Sequence, residues 1–160
     1  VLFRDKELYS MPPKELNNYR RKKIGFVFQQ FHLMPYLTIL ENIRLACHEK
    51  KHNERIGYYL DMCSLTELKE KYPFSLSVGE KQRAAFVRAV ISDPEILLAD
   101  EPTGNLDTGN SRILMELIAD FHKKGGTVVM VSHNPAMENF AGKVALLEKG
   151  RIVSWRDSNH

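Results

Sequence analysis

Cysteine is scarce: Cys47 and Cys63 are the only two among 160 residues. That excludes a disulfide framework. Both fall on apolar faces of helical patterns and are expected as buried free thiols of a reducing compartment. Long hydrophobic runs are missing too. No apolar stretch approaches the roughly 18 residues needed to cross a bilayer, and no secretory signal opens the chain. Any membrane role is therefore expected to come through a partner. Charge of one sign is not in excess: 23 basic against 20 acidic residues leave +3, too little to argue for nucleic acid. The densest basic run, Arg20-Arg21-Lys22-Lys23, could meet phosphates or acidic lipid head groups, but is read as a solvated turn before an apolar stretch. Internal repeats and low-complexity segments are absent as well.

What is present suits one globular domain with a sizeable core, since 43% of the residues are hydrophobic and both charge signs are interspersed. Ile24–Phe28 is short, apolar and β-rich, a predicted strand ending at Gln29-Gln30. Thr38 and Glu41 have the spacing of a capping box, and apolar positions 39, 40, 43, 46 and 47 then keep a helical period. A second helical stripe runs on 56, 59, 60 and 63. Residues 31–92 thus read as all-helical, framed by Pro35 and by Asp93-Pro94. After Pro94 the pattern changes. Ile96–Ala99 and Thr127–Val131 are continuous apolar runs, as parallel strands covered on both faces should be. Between them Ile113, Leu114, Leu117, Ile118 and Phe121 form a helical stripe closing at Lys123-Lys124-Gly125-Gly126. Val144–Leu147 and Ile152–Val153 add two strands around Lys149-Gly150. The order implies an α/β fold with a helical insertion.

Ligands of open parallel sheets sit beyond the carboxyl ends of the strands. Three strand ends carry suggestive residues: Gln29, the pair Asp100-Glu101, and His133. Each alone has a bland reading, as a loop amide, a turn cap and a hydrogen-bonding imidazole. Together they suit Mg²⁺–phosphate chemistry, in which a hard cation needs oxygen ligands and an attacking water needs an orienting acceptor. Asp100 would hold the metal, Gln29 would complete its shell, Glu101 would polarise the water and His133 would donate to a γ-phosphate. Ser77 and Glu80 repeat the capping-box spacing ahead of a helix through Ala84, Ala85, Ala89, Val90 and Ile91. An ordinary helix start explains that spacing. An anion site at the helix tip, with Gly79 admitting a phosphate, explains it too.

In that order, Gln29, LSVGEKQR (76–83), ILLADEP (96–102), GNLD (104–107) and His133 resemble the nucleotide-binding subunits of ABC transporters. The likeness runs from Val1 to about Ser154. EPTGNLD and FVFQQFHLMPYLTILENI are most similar to the lipoprotein-release and macrolide-export subgroup, which includes a cell-division relative. The resemblance places Gln29 on the Q-loop, Leu76–Glu80 on the signature, Ile96–Glu101 on Walker B, Asn105–Asp107 on the D-loop and His133 on the switch histidine. It implies a P-loop NTPase-type sheet, with α/β core at 1–30 and 93–160 and a helical subdomain at 31–92. Catalysis is assigned to Glu101, His133 and Gln29, ATP contact to Ser77, Gly79, Glu80 and Asp107, and Mg²⁺ to Asp100 and Gln29. A membrane permease, a head-to-tail homodimer, no nucleic acid, and a cytoplasmic site at the inner face of the cell membrane follow as expectations. Val78 and Glu80 depart from the usual LSGGQ. Glu80 folded back on the Ser77 N–H would lessen its repulsion of phosphate.

The family grips ATP with G-x-x-x-x-G-K-[ST]. The nearest match, GNLDTGNS (104–111), has Asn110 in place of the Lys and follows the acidic pair, so it is read as a turn leading into the Ile113 helix. The expectation is a chain lacking the first strand and its phosphate loop, with part of its sheet bared. It would bind Mg-ATP weakly and scarcely turn it over alone. Two readings stay open: an ATP-hydrolysing transport subunit, and a non-catalytic partner lending only its signature. A soluble ATPase of DNA repair or translation fits less well, because 160 residues leave no room for the insertions such proteins carry.

Overall fold

The computed structural model describes residues 2, 3 and 6–157. The short strands β1 (Leu2–Phe3) and β2 (Lys6–Glu7) pair antiparallel. Helix α1 (Pro13–Lys23) starts on a proline, whose missing N–H costs nothing at that position, and carries Arg20–Lys23 in its last turn. The basic run is therefore a helix end and not the expected turn. Four cations there oppose the negative end of the helix dipole.

β3 (Ile24–Phe28) follows without a linker. In α2 (Ile39–Arg44) the capping box is complete: Thr38 Oγ1 accepts the Glu41 N–H at 3.2 Å, and a Glu41 carboxylate oxygen accepts the Thr38 N–H at 2.8 Å. This helix is shorter than its apolar period suggested. Ala46 and Cys47 lie beyond it, and Cys47 is half-buried, not buried. Buried Asn42 donates to the carbonyls of Met34, Leu37 and Thr38, pinning the loop ahead of the helix. α3 (Lys50–Glu54), α4 (Ile56–Met62) and α5 (Val78–Val90) complete the helical stretch. Cys63, just past α4, is buried, and burial pushes its thiol up to about 12.

β4 (Ile96–Asp100), α6 (Thr108–Lys123) and β5 (Thr127–Val131) make a strand–helix–strand unit. The parallel sheet has the order β3-β4-β5, with Phe28, Asp100 and Val131 at one level. Gly25 lets α5 close on this sheet, because a Cβ there would lie 2.4 Å from the Ala89 carbonyl oxygen. Val27, Leu97 and Ala99 point into one core with Phe86, Val87 and Val90 of α5 and Leu114, Met115 and Ile118 of α6. Each large side chain so buried contributes about 1.5–3 kcal/mol.

The opposite face is bare among the described residues: Phe26, Val129 and Val131 are 41, 53 and 61% exposed. The two-sided cover expected from the apolar runs is thus one-sided, since α5 and α6 share a face. β6 (Lys143–Glu148) and β7 (Arg151–Asp157) form a separate antiparallel hairpin. Its Lys149-Gly150 turn takes positive φ at both residues, 48° and 76°, matching the twist of a two-residue loop.

Candidate functional site

Parallel register brings three loops to one edge. Gln29, Glu101 and Ser132 each follow the last residue of a strand, and those last residues are aligned. Glu101 turns the chain sharply. Its φ is +45°, in the left-handed region a non-glycine residue rarely occupies, and its N–H reaches back to the Val131 carbonyl at 2.9 Å. The turn swings the carboxylate toward the loop after β5. There Oε1 accepts the His133 backbone N–H at 2.8 Å and lies 2.8 Å from His133 Nδ1, while Oε2 accepts from Ser132 Oγ at 3.3 Å. Glu101 is 19% exposed and the imidazole 79%.

This geometry constrains what each group can do. With two donors on Oε1 and one on Oε2, the carboxylate keeps an acceptor position on Oε2 for a water. His133 Nδ1 faces a carboxylate and so carries its hydrogen. The remaining nitrogen, Nε2, is then an acceptor in the neutral ring and a donor only in the imidazolium. Gln29 is drawn into the same edge by a reciprocal pair: Gln29 Nε2 donates to Asn105 Oδ1 at 3.4 Å, and Asn105 Nδ2 donates to the Gln29 carbonyl at 3.2 Å.

Asp100 ends β4 exposed, and its carboxylate makes no hydrogen bond or ion pair among the described residues. No group of three His, Cys, Asp or Glu side chains among them could hold a metal. A cation taking one carboxylate, an amide oxygen, water and phosphate fits such a sparse donor set, and Mg²⁺ is such a cation. Asp100 could supply that carboxylate and Gln29 that amide oxygen.

A second group forms at the amino end of α5. Ser77 Oγ accepts the Glu80 N–H at 3.3 Å, and Glu80 Oε2 accepts the Ser77 N–H at 2.7 Å. That backbone hydrogen bond, with a further one from the Ser77 side chain, holds the Glu80 carboxyl below its ordinary value. Glu80 is therefore ionised and folded back onto the cap, as its spacing predicted. Gly79 does something else than expected. The place of its absent Cβ is filled by Asn110, whose Oδ1 would lie 2.1 Å from such an atom. The glycine admits the start of α6, since any side chain there would meet Asn110. Asp107 caps α6 by accepting the Asn110 N–H at 2.9 Å, which lowers its carboxyl, and Asn110 Oδ1 accepts from Arg83 Nη1 at 2.9 Å. So residues 104–111 are a turn into a helix, as read.

Two residues the sequence did not single out, Gln82 and Ser132, complete the arrangement, with Asn105 and Asn110, which were read only as part of the GNLD turn and as the residue standing where a Lys would be. Of the first two, only Ser132 had a signal, through adjacency to His133. A hollow of about 540 Å³ between Arg55, Tyr59, Asp93, Lys124 and Phe121 is not lined by any of the site residues.

Comparison with known proteins fits this geometry. The family described as ABC transporter matches residues 1–104. A macrolide export ATP-binding/permease protein of Chlorobaculum tepidum is 38% identical over 155 residues, 94% of this chain but 24% of that protein. The chain thus spans about a quarter of that relative. A lipoprotein-releasing system ATP-binding protein of Aquifex aeolicus is 35% identical over 158 residues, covering 96% of this chain and 70% of its own length. The dimeric ATP-binding cassette MJ0796, solved in a post-hydrolysis state with ADP and phosphate, superposes with a TM-score of 0.86 at 32% identity, over 99% of this chain and 72% of that one.

Proposed function

The chain belongs to the ABC transporter family, and from that premise we propose that it is an ATP-binding subunit coupling Mg-ATP hydrolysis to a membrane permease. The observation that carries this reading is Glu101, set in a left-handed turn where three parallel strands end and gripped by both Ser132 and His133. Glu101 Oε2 orients the attacking water. His133, with Nδ1 engaged by Glu101, meets the γ-phosphate through Nε2 and donates there as the imidazolium. Asp100 and Gln29 hold Mg²⁺, which when bound neutralises charge on the phosphate oxygens. Ser77 and the N–H groups opening α5 serve the nucleotide of a second, head-to-tail copy, with Asp107 at the same junction. Among the described residues no helix is long and apolar enough to cross a membrane, and the permease would hold the subunit at the inner membrane face.

The 160 residues contain no G-x-x-x-x-G-K-[ST], so this chain alone is expected to bind Mg-ATP only in the millimolar range. Titration followed by NMR tests the reading. Shifts should centre on Gln29, Asp100, Glu101 and His133. Micromolar affinity, or shifts centred on the Arg55–Lys124 hollow, would overturn it.

A second reading is a non-catalytic partner lending only the tip of α5. In a mixed dimer with a complete cassette, that reading requires turnover to depend on Ser77 and to ignore Glu101→Gln.

A further inference from the structure

We infer that Gln82 is the positioning residue that sets Gln29 and Glu101 at a defined spacing and ties both to the amino end of α5. The inference rests on the reading of Gln29 and Glu101 as hydrolytic residues. Gln82 lies little more than one helical turn after the Ser77 cap and is 1% exposed. Its Nε2 donates to the Phe28 carbonyl at 3.0 Å and to the Pro102 carbonyl at 2.8 Å.

Both targets are pure acceptors, so the amide can be oriented only with its nitrogen between them, and both of its hydrogens are used. Phe28 immediately precedes Gln29, and Pro102 immediately follows Glu101. One side chain therefore clamps the two loop entrances to each other from a third element.

A role as core filler does not account for this choice. An apolar side chain of equal volume would fill the space without desolvating an amide. Gln82 Oε1 is buried and meets no donor among the described groups, so the residue sits there at a net cost in that acceptor. The two donor contacts are what it supplies. The reciprocal Gln29–Asn105 pair and the crowding of Gly104 against Gln29 Nε2, 2.8 Å from where a Cβ would stand, lock the same two loops on their outer side. Any shift of α5 along its axis thus moves the Gln29 and Glu101 entrances together. An event at Ser77 is passed to both.

Hydrogen exchange on the 160-residue chain with no nucleotide tests the clamp. Gln82→Met keeps volume and deletes both donors. Backbone amides at 29–31 and at 101, 103 and 104 should exchange about tenfold faster, as expected for two lost hydrogen bonds. Those of α5 and the middle of β3 and β4 should stay within about twofold. Unchanged loops, or acceleration spread evenly over α5, β3 and β4, would overturn the inference. Should the variant not fold, the side-chain amide of Gln82 in the unmutated chain decides. Two slowly exchanging protons support the clamp, and a freely exchanging pair refutes it. Neither readout involves ATP, so failure of the clamp and failure of the functional reading are told apart.

Discussion

Replacing Gly79 by Ala sets two effects against each other. In a helix the exchange normally stabilises by about 0.5–1 kcal/mol. Here the new methyl would stand 2.1 Å from Asn110 Oδ1 and 2.4 Å from its Cγ, closer than any real contact. The amide must swing away. Asn110 then surrenders the part-buried bond from Arg83 Nη1 at 2.9 Å and its side-chain bond to Asp107. A hydrogen bond with a charged donor is worth about 1.5–3 kcal/mol, so the loss outweighs the helical gain by about 1–2 kcal/mol. For a chain of this size that lowers Tm by about 3–6 °C. A double-mutant cycle by urea denaturation gives the sharper reading. With Asn110→Ala already present the clash is gone, and Gly79→Ala should become neutral or stabilising. Equal destabilisation in both backgrounds would refute the account, since the cost would then lie in the α5 backbone and not in the contact with α6.

Ser77→Ala should cost about 1 kcal/mol through loss of the α5 cap. Glu80 titrates low when folded, so its contribution is present above its unfolded pKa and disappears as acid protonates the folded carboxyl; Glu80→Gln should flatten the stability profile on the acid side of pH 5. Cys63 holds its proton up to about 12 when folded, whereas the unfolded thiol releases it near 9. Stability should therefore fall as pH rises from about 9, and a thiol reagent at pH 8 should label Cys47 long before Cys63. Arg88 donates to the Phe31 and His32 carbonyls, and Arg88→Met should lower stability by about 2 kcal/mol and speed proteolysis within 30–36.

β3 and β5 were legible to the residue, because their apolar β-rich runs stop abruptly at Gln29 and between Gly126 and Ser132. Helix α6 starts five residues before its apolar stripe, since its first turn is polar and held by Asp107. Helix α1 left no periodic signal, burying none of its side chains. At the site, strand-end position was readable for Gln29, Asp100, Glu101 and His133, because parallel strands of equal length finish together. Which of them touch was not. Ser132, Asn110 and Gln82 act across separations of 20 to 54 residues, and no local pattern encodes those pairings.

The alignment of Phe28, Asp100 and Val131 at one level restricts how the gene can change length. Side chains alternate direction along a strand, so one codon gained or lost between Ile96 and Asp100 would send the two neighbouring acids to each other's side. Point substitutions there could be absorbed, but indels could not, and drift in length should collect in the segment from Ala46 to Arg55, which no strand measures.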